Sequence, residues 1–276
     1  MKPLVSIITP VYNGERFIQE TLESVHNQTY GMIECIIVDD GSQDKTMSLI
    51  AFFLFDKRFR YVYQDNAGAA SALNAGIRLS KGEYVAWLSA DDVFMPDKIE
   101  CQVAVMENDP SISATYTDFE IINGEGEHVE NVHVIPPIDG DMFQQVLLQN
   151  IINGSSILIR RGVFEKIGYF REDILVDVDG DMWLRMLGNG MRIEHIPQVL
   201  LKYRKHSGQL SHDRVLMTKV KDQVRSEALR AYARDDLDYM HVSGQLSLRG
   251  LKRAARAAHE QGLKQLDPLI RQAYGN

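Results

Sequence analysis

Leu4-Val5-Ser6-Ile7-Ile8 runs straight into Thr9-Pro10-Val11-Tyr12-Asn13. A mostly apolar run ending in a polar cluster decides the fold, because the unit recurs. Residues 33–38 lead into Asp39-Asp40-Gly41-Ser42, residues 60–63 into Gln64-Asp65-Asn66-Ala67-Gly68, and residues 84–88 into Ser89-Ala90-Asp91-Asp92. The stretches between them are amphipathic. Residues 15–26 place Phe17, Ile18, Leu22 and Val25 on one helical face, and 45–55 and 69–79 read as two further helices. Short strands alternating with helices imply an α/β fold, a mostly parallel central sheet with helices on its faces. Ligands in such sheets sit beyond the carboxyl ends of the strands. All four polar clusters fall at those ends, so they form one candidate site.

Working outward, residues 112–185 are less regular, with turn signals at Asn123-Gly124-Glu125-Gly126 and Pro136-Pro137. Residues 157–159 and 199–203 read as further strands. Beyond His212 the pattern is helical, which divides the chain into a body, 1–212, and a C-terminal helical extension, 213–276. In the extension Leu248, Leu251, Ala255 and Ala258 recur at helical spacing beside Arg249, Lys252, Arg253 and Arg256. A solvated face is the default for such a run; the sharper reading is a basic surface making peripheral contact with a membrane or a partner.

The 276 residues, 45% of them hydrophobic, can bury a substantial core. A formal net charge of −8 disfavours nucleic acid as a partner. Cys35 and Cys101, the two cysteines, lack metal-ligand spacing and point to a reducing compartment. No signal-peptide pattern opens the sequence and no apolar stretch reaches membrane-spanning length, so the expectation is a cytoplasmic protein, with any membrane association peripheral on the inner face.

Carboxylates grouped at strand ends suit hydrogen bonding to a nucleoside and oxygen coordination of a hard divalent cation. An isolated Asp-Asp is as readily a solvated loop or a helix cap. The surrounding strings are more specific: VSIITPVYNGERFIQETLESVHNQTY at 5–30, IIVDDGSQDKT at 36–46 and QDNAGAASALNAGIRLSKGEYVAWLSADD at 64–92. In this order and spacing they resemble family two of the inverting glycosyltransferases, whose nucleotide-binding fold is of the GT-A, Rossmann-like type. The resemblance resumes at Gly168-Tyr169-Phe170, at 179–185 and at 203–211, and covers about two-thirds of the chain.

That resemblance implies a nucleotide-sugar donor, uridine diphosphate sugars first and guanosine or thymidine diphosphate sugars as alternatives. It implies a saccharide or lipid-linked acceptor in a polysaccharide or envelope pathway, and a divalent cation, Mn2+ or Mg2+. Carried over residue by residue, Thr9 and Tyr12 flank the base, Asp39 binds the base imide, Asn66 lines the diphosphate side, Asp91 contacts the ribose and Asp92 holds the metal. Ser89 stands where the family often has Asp. Aligned on Trp183 and Arg185, the family's catalytic carboxylate falls on Asp179, with Asp177 and Asp181 as alternates and Val178 in place of the usual Glu. Trp183 and Asp181 are expected on the acceptor side, Trp183 chiefly as packing, and His206 near the metal and diphosphate. The spacing Asp177-x-Asp179-x-Asp181 also suggests a calcium loop, but Met182 replaces the required Gly and Gly188 the bidentate Glu. A sugar-nucleotide pyrophosphorylase would need a glycine-rich basic loop after the first strand. A processive synthase would need membrane spans and a Gln-x-x-Arg-Trp segment. A non-catalytic nucleotide-sugar or saccharide-binding subunit is the remaining alternative.

Overall fold

The structure, a computed structural model, describes residues 2–137, 141–209 and 214–243. Its first part follows the recurring unit: β1 (Val5–Val11), α1 (Ile18–His26), β2 (Ile33–Asp39), α2 (Thr46–Ile50), β3 (Phe59–Tyr63), α3 (Ala69–Leu79) and β4 (Tyr84–Trp87). β3, β2, β1 and β4 lie side by side in that order, all parallel. β1 and β2 are buried on both faces, as a parallel sheet covered by helices requires. Along β1, Ile8 joins Ile36, Val38, Leu73 and Ile77 in one core, while Ile7 joins Cys35, Ile37, Leu22 and Val25 in the other. The period-two alternation of side chains therefore builds a core on each face of the sheet. Both cysteines are free, and burial pushes the Cys35 thiol up to about 12.

Then come β5 (Val93–Phe94), α4 (Lys98–Asn108), β6 (Ile112–Ile122), β7 (His128–Val132), α5 (Met142–Leu148), a 3₁₀ turn (Gly154–Ser156), β8 (Leu158–Arg160), α6 (Gly162–Ile167), α7 (Val178–Gly188), β9 (Arg192–Arg204) and α8 (Arg214–Ser243). The strand order is β3-β2-β1-β4-β8-β6-β9-β5, with β7 on β6. This half of the sheet is mixed: β8 is antiparallel to β4 and β6, β5 to β9 and β7 to β6, while β6 and β9 are parallel. The sheet is thus wholly parallel only across the first repeated units. The 123–126 signal is the turn between β6 and β7, with Gly126 at φ +83°.

Two expected boundaries move. β9 starts well before residue 199, because its first residues pair with β6. α2 ends at Ile50, where the N–H of Phe53 bonds Ile50 O at 2.9 Å and that of Leu54 bonds Ala51 O at 3.3 Å. This i→i+3 tightening ends the α-helix and turns Phe53 and Leu54 onto the core, leaving Phe52 and Phe55 outside. α8 packs on α7, and Val220 and Val224 are buried in the same core as Trp183. The expected basic face at 248–258 lies outside the described residues.

α3 approaches β1 closely at Gly76, where an added Cβ would lie 2.4 Å from Ile8 Cγ2 and 3.2 Å from Val38 Cγ2. We expect Gly76→Ala to lower unfolding free energy by about 1–3 kcal/mol, the usual cost of overpacking a core. Denaturant unfolding checks it; unchanged stability would show that α3 can lift off the sheet freely.

Candidate functional site

The polar clusters meet at the carboxyl edge of β1, β2 and β4. On the β2 side, Asp39 is buried, accepting the Ser42 N–H on Oδ1 at 2.8 Å and the Tyr61 hydroxyl on Oδ2 at 2.8 Å. Burial, and then the Asp39 contact, raise the Tyr61 pKa, so the phenol stays a donor. Asp40 accepts Gln64 Nε2 at 2.7 Å, the Ala67 N–H at 2.9 Å and the Gly68 N–H at 2.8 Å. It thereby shapes the 64–68 loop, on which Asn66 is exposed, with its amide donating to the Asp40 carbonyl. Asn13 ties the end of β1 to the same region: its Oδ1 accepts the Gln43 N–H and its N–H donates to Ser42 Oγ. Tyr12 stands out from this knitted base, 53% exposed. Thr9, expected beside it, is fully buried, its hydroxyl 4.0 Å from Cys35 Sγ. β1 alternation turns that side chain into the sheet, which corrects the expectation for its side chain.

Beyond β4 the two neighbouring acids are treated oppositely. Asp92 is 1% exposed and accepts the Arg204 N–H on Oδ1 at 3.0 Å and the Ser155 hydroxyl on Oδ2 at 2.5 Å. Burial, then the Asp91 charge, raise its pKa well above the usual carboxylate range. The Asp91 side chain, by contrast, is 25% exposed, with its Oδ2 3.1 Å from His206 Nε2. His206 Nδ1 accepts the Gly208 N–H at 3.2 Å, which leaves Nε2–H to donate to Asp91 in the neutral ring. Asp92, expected as the metal ligand, is therefore taken up by protein donors, and the accessible pair is Asp91 with His206. Ser89 is held by Ser155, whose Oγ lies 3.1 Å from the Ser89 Oγ and accepts the Ser89 N–H at 3.1 Å.

Among the described residues no three His, Cys, Asp or Glu side chains converge as a ready-made cation cage. The Asp91 carboxylate still suits Mn2+ or Mg2+ when phosphate oxygens and water complete the shell, since both ions favour oxygen ligands, with the His206 imidazole beside it a further ligand for the softer Mn2+.

The second acidic group opens α7. Asp177 precedes the helix in the left-handed region at φ 58°, which Asp tolerates better than bulkier residues. Its carboxyl packs over Gly180, where a Cβ would lie 2.8 Å from Asp177 Oδ2. Burial, then the Asp179 charge, push the Asp177 pKa up to about 7, against the pull of Lys221 and Arg225 on α8. Asp179 is partly buried and accepts Asn150 Nδ2 at 3.0 Å on Oδ2. Burial raises its pKa, while the Gly180 N–H and Asn150 favour the ionised form. Asp181 is engaged elsewhere: its Oδ2 accepts Arg185 Nε at 2.8 Å and its Oδ1 lies 3.5 Å from Arg171. Trp183 is fully buried, donating Nε1–H to the Ile152 carbonyl at 3.2 Å. Asp181, expected on the acceptor side, is thus bound by arginines, while Trp183 packs in the core, the role chiefly expected of it.

Sequence reasoning missed Arg204, Ser155 and Asn150. Arg204 is 1% exposed and donates to the carbonyls of Asp91 and Asn123 and to Glu20, with its guanidinium 4.8 Å from the Phe17 ring centre. The 203–211 stretch gives no sign of these partners, which come from three distant segments. Ser155 and Asn150 sit in an irregular stretch without periodicity.

The profile described as "Glycosyl transferase family 2" matches residues 6–168, more than half of the chain. An uncharacterized glycosyltransferase of Rickettsia typhi is 38% identical over 220 residues, 76% of this chain and 66% of its own length. A putative teichuronic acid biosynthesis glycosyltransferase, TuaG of Bacillus subtilis, is 31% identical over 77% of this chain and 83% of its own. Against another relative, from Rickettsia felis, the chain spans 35% of that protein's length. The fold is shared with S. aureus TarS 1-349 in complex with UDP-GlcNAc, at a TM-score of 0.66 and 17% identity over 98% of this chain and 87% of that one. It is shared too with a Pyrobaculum calidifontis mannosyltransferase in complex with GDP-Man and Mn2+, at 0.58 and 19% identity over 99% and 83% of the two chains.

The opposite placement of the two loop acids gives a direct expectation. Asp92→Ala strands buried donors and should lower unfolding free energy by about 1–3 kcal/mol. The partly exposed Asp91→Ala should change it by no more than about 0.5 kcal/mol. Denaturant unfolding of both variants checks it, and a reversed order would contradict the burial assignment.

Proposed function

The chain belongs to glycosyl transferase family 2, and from that premise we propose that it is an inverting glycosyltransferase moving a sugar from a nucleotide-diphosphate donor to a hydroxyl of a saccharide or lipid-linked acceptor. The observation that carries this reading is Asp179, a partly buried carboxylate at a helix start held by Asn150, together with the separate Asp91–His206 pair after β4. Donor and acceptor chemistry need two such groups, one for the leaving diphosphate and one for the incoming hydroxyl.

On the donor side, the exposed Tyr12 ring packs against the base, Asp39 and its Tyr61 partner set the polar edge beside it, and Asn66 lines the diphosphate. Asp91 and His206 would hold a divalent cation, Mn2+ or Mg2+, whose chemistry there is to offset negative charge on the departing diphosphate. This moves the metal role from Asp92 to Asp91. A uridine diphosphate sugar is the first donor to test, in keeping with the UDP-GlcNAc bound by TarS, and a guanosine diphosphate sugar the second.

On the acceptor side, Asp179 takes the proton of the acceptor hydroxyl as its oxygen attacks the anomeric carbon. The bond from that carbon to the diphosphate oxygen breaks on the opposite face, so the configuration inverts in one displacement. Asp177, held in the left-handed region before α7 with its carboxyl over Gly180, is the alternate base; Asp181 is spent on Arg185 and Arg171. The pathway reading is envelope polysaccharide synthesis at the inner face of a membrane, in line with TuaG. No helix among the described residues is long and apolar enough to cross a membrane.

A nucleotide-sugar panel read by thermal shift with Mn2+ selects the donor, because a bound ligand stabilises in proportion to its saturation. With that donor, Asp179→Asn should reduce turnover about 10²–10⁴-fold with donor affinity unchanged by calorimetry. A product retaining the donor's anomeric configuration would refute the single displacement. Excess chelator and Asp91→Ala should each abolish turnover; full activity in chelator removes the cation from the reaction.

A further inference from the structure

The acidic start of α7 and the acidic loop after β4 are distant in sequence and are not neighbours in any helix or strand. One short segment, Asn150 to Ser155, touches both. Asn150 Nδ2 donates to Asp179 Oδ2 at 3.0 Å, while Asn150 Oδ1 accepts the Ile152 N–H at 3.1 Å. The second bond fixes the orientation of the amide: only its nitrogen can face the carboxylate. The next link is the Ile152 carbonyl, which accepts the buried Trp183 indole N–H. Asn153 Oδ1 accepts the Ser155 N–H at 2.8 Å and closes the turn. Gly154 lies on the Trp87 ring of β4, where a Cβ would come within 2.6 Å of Cζ3. Finally Ser155 reaches Asp92 and Ser89. Apart from Ile151, which packs on the core, each residue of this strap thus has a partner either on α7, on β4 and its loop, or within its own turn.

We propose that Asn150 is the positioning residue for Asp179, and that the Asn150–Ser155 strap sets the spacing between that carboxylate and the Ser89–Asp92 loop. The inference rests on the reading of Asp179 as the base and adds what orients it. A carboxylate with one oxygen held by an amide keeps one rotamer, and near-attack geometry depends on such placement. The bond also acts on charge. Asp179 interacts with the like charge of Asp177, just before α7, and with the opposite charge of Lys221 on α8. Asn150 supplies a neutral donor that favours the ionised carboxylate against burial, so removing it raises the pH at which Asp179 becomes a base.

The test is a carbon-detected NMR titration of the full chain carrying ¹³C-carboxyl aspartate, with the Asp179 signal identified by its loss in Asp179→Asn. Asn150→Ser keeps an oxygen to accept the Ile152 N–H but cannot reach Asp179; Asn150→Asp keeps that acceptor and sets a second carboxylate against it. We expect the Asp179 midpoint to rise by about one pH unit in Asn150→Ser, the scale of one hydrogen bond, and further in Asn150→Asp. The acidic limb of the turnover profile should move with it, donor affinity staying constant. If Asn150→Ser fails to fold, Asn150→Asp alone carries the comparison. An unchanged midpoint in the folded variants overturns the inference. The titration uses no donor or acceptor, so its result is separate from that of the Asp179→Asn turnover experiment, which decides the base itself.

Discussion

The site depends on one buried carboxylate, that of Asp92. It lies where the parallel half of the sheet gives way to the mixed half, and it accepts one donor from each neighbour across that junction: the backbone of Arg204 at the end of β9 and the hydroxyl of Ser155 before β8. Breaking a buried acceptor leaves donors unpaired, which is worth more than the bonds' own net contribution. Arg204 extends the same junction through its side chain to the Asp91 carbonyl, to Glu20 on α1 and to the Asn123 turn. With its backbone and side chain so occupied, the loop holds Asp91 outward beside His206. The exposed acid is available because the buried one is not.

The acidic start of α7 shows a second balance. Asp177, Asp179 and Asp181 fall within five consecutive positions, and like charges so close disfavour one another's ionised forms. The structure separates them by partner. Asp181 receives two arginines, Asp179 an amide and a backbone donor, and Asp177 only the longer-range attraction of Lys221 and Arg225. That ordering leaves one carboxylate of the group, Asp179, oriented by neutral donors. α8 participates in this electrostatics and in the core, so the helix after the body is part of what shapes the acidic pocket.

The donor-side loops are knitted by side chains more than by backbone pairing. Asp40 gathers the 64–68 loop, and Asn13, Ser42 and Gln43 join the ends of β1 and β2. Irregular backbone held by buried side-chain acceptors can present fixed N–H groups and side chains without regular structure. Tyr12 is left as the one large aromatic standing free of that network at the end of β1.

The alternation of apolar runs with polar strand ends, read along residues 4–92, determined the parallel half of the sheet, its helices and the edge at which the site lies, since strand and helix periodicities are local properties. The family resemblance placed Asp39, Asp91, Asp92, Asp179 and His206 in one region. What each acid does was decided only by tertiary structure. Asp91 and Asp92 are adjacent and chemically identical, and their different fates come from Arg204 and Ser155, which lie 113 and 64 residues beyond Asp91 in the sequence. Thr9 was legible as a strand-end residue but not as a core one, because the direction of its side chain depends on the register of β1 between β2 and β4. Asn150 carried no pattern, and Arg204, inside the 203–211 resemblance, carried no sign of its partners. Burial and hydrogen-bond partnership are set by contacts between distant segments, and no local spacing encodes them.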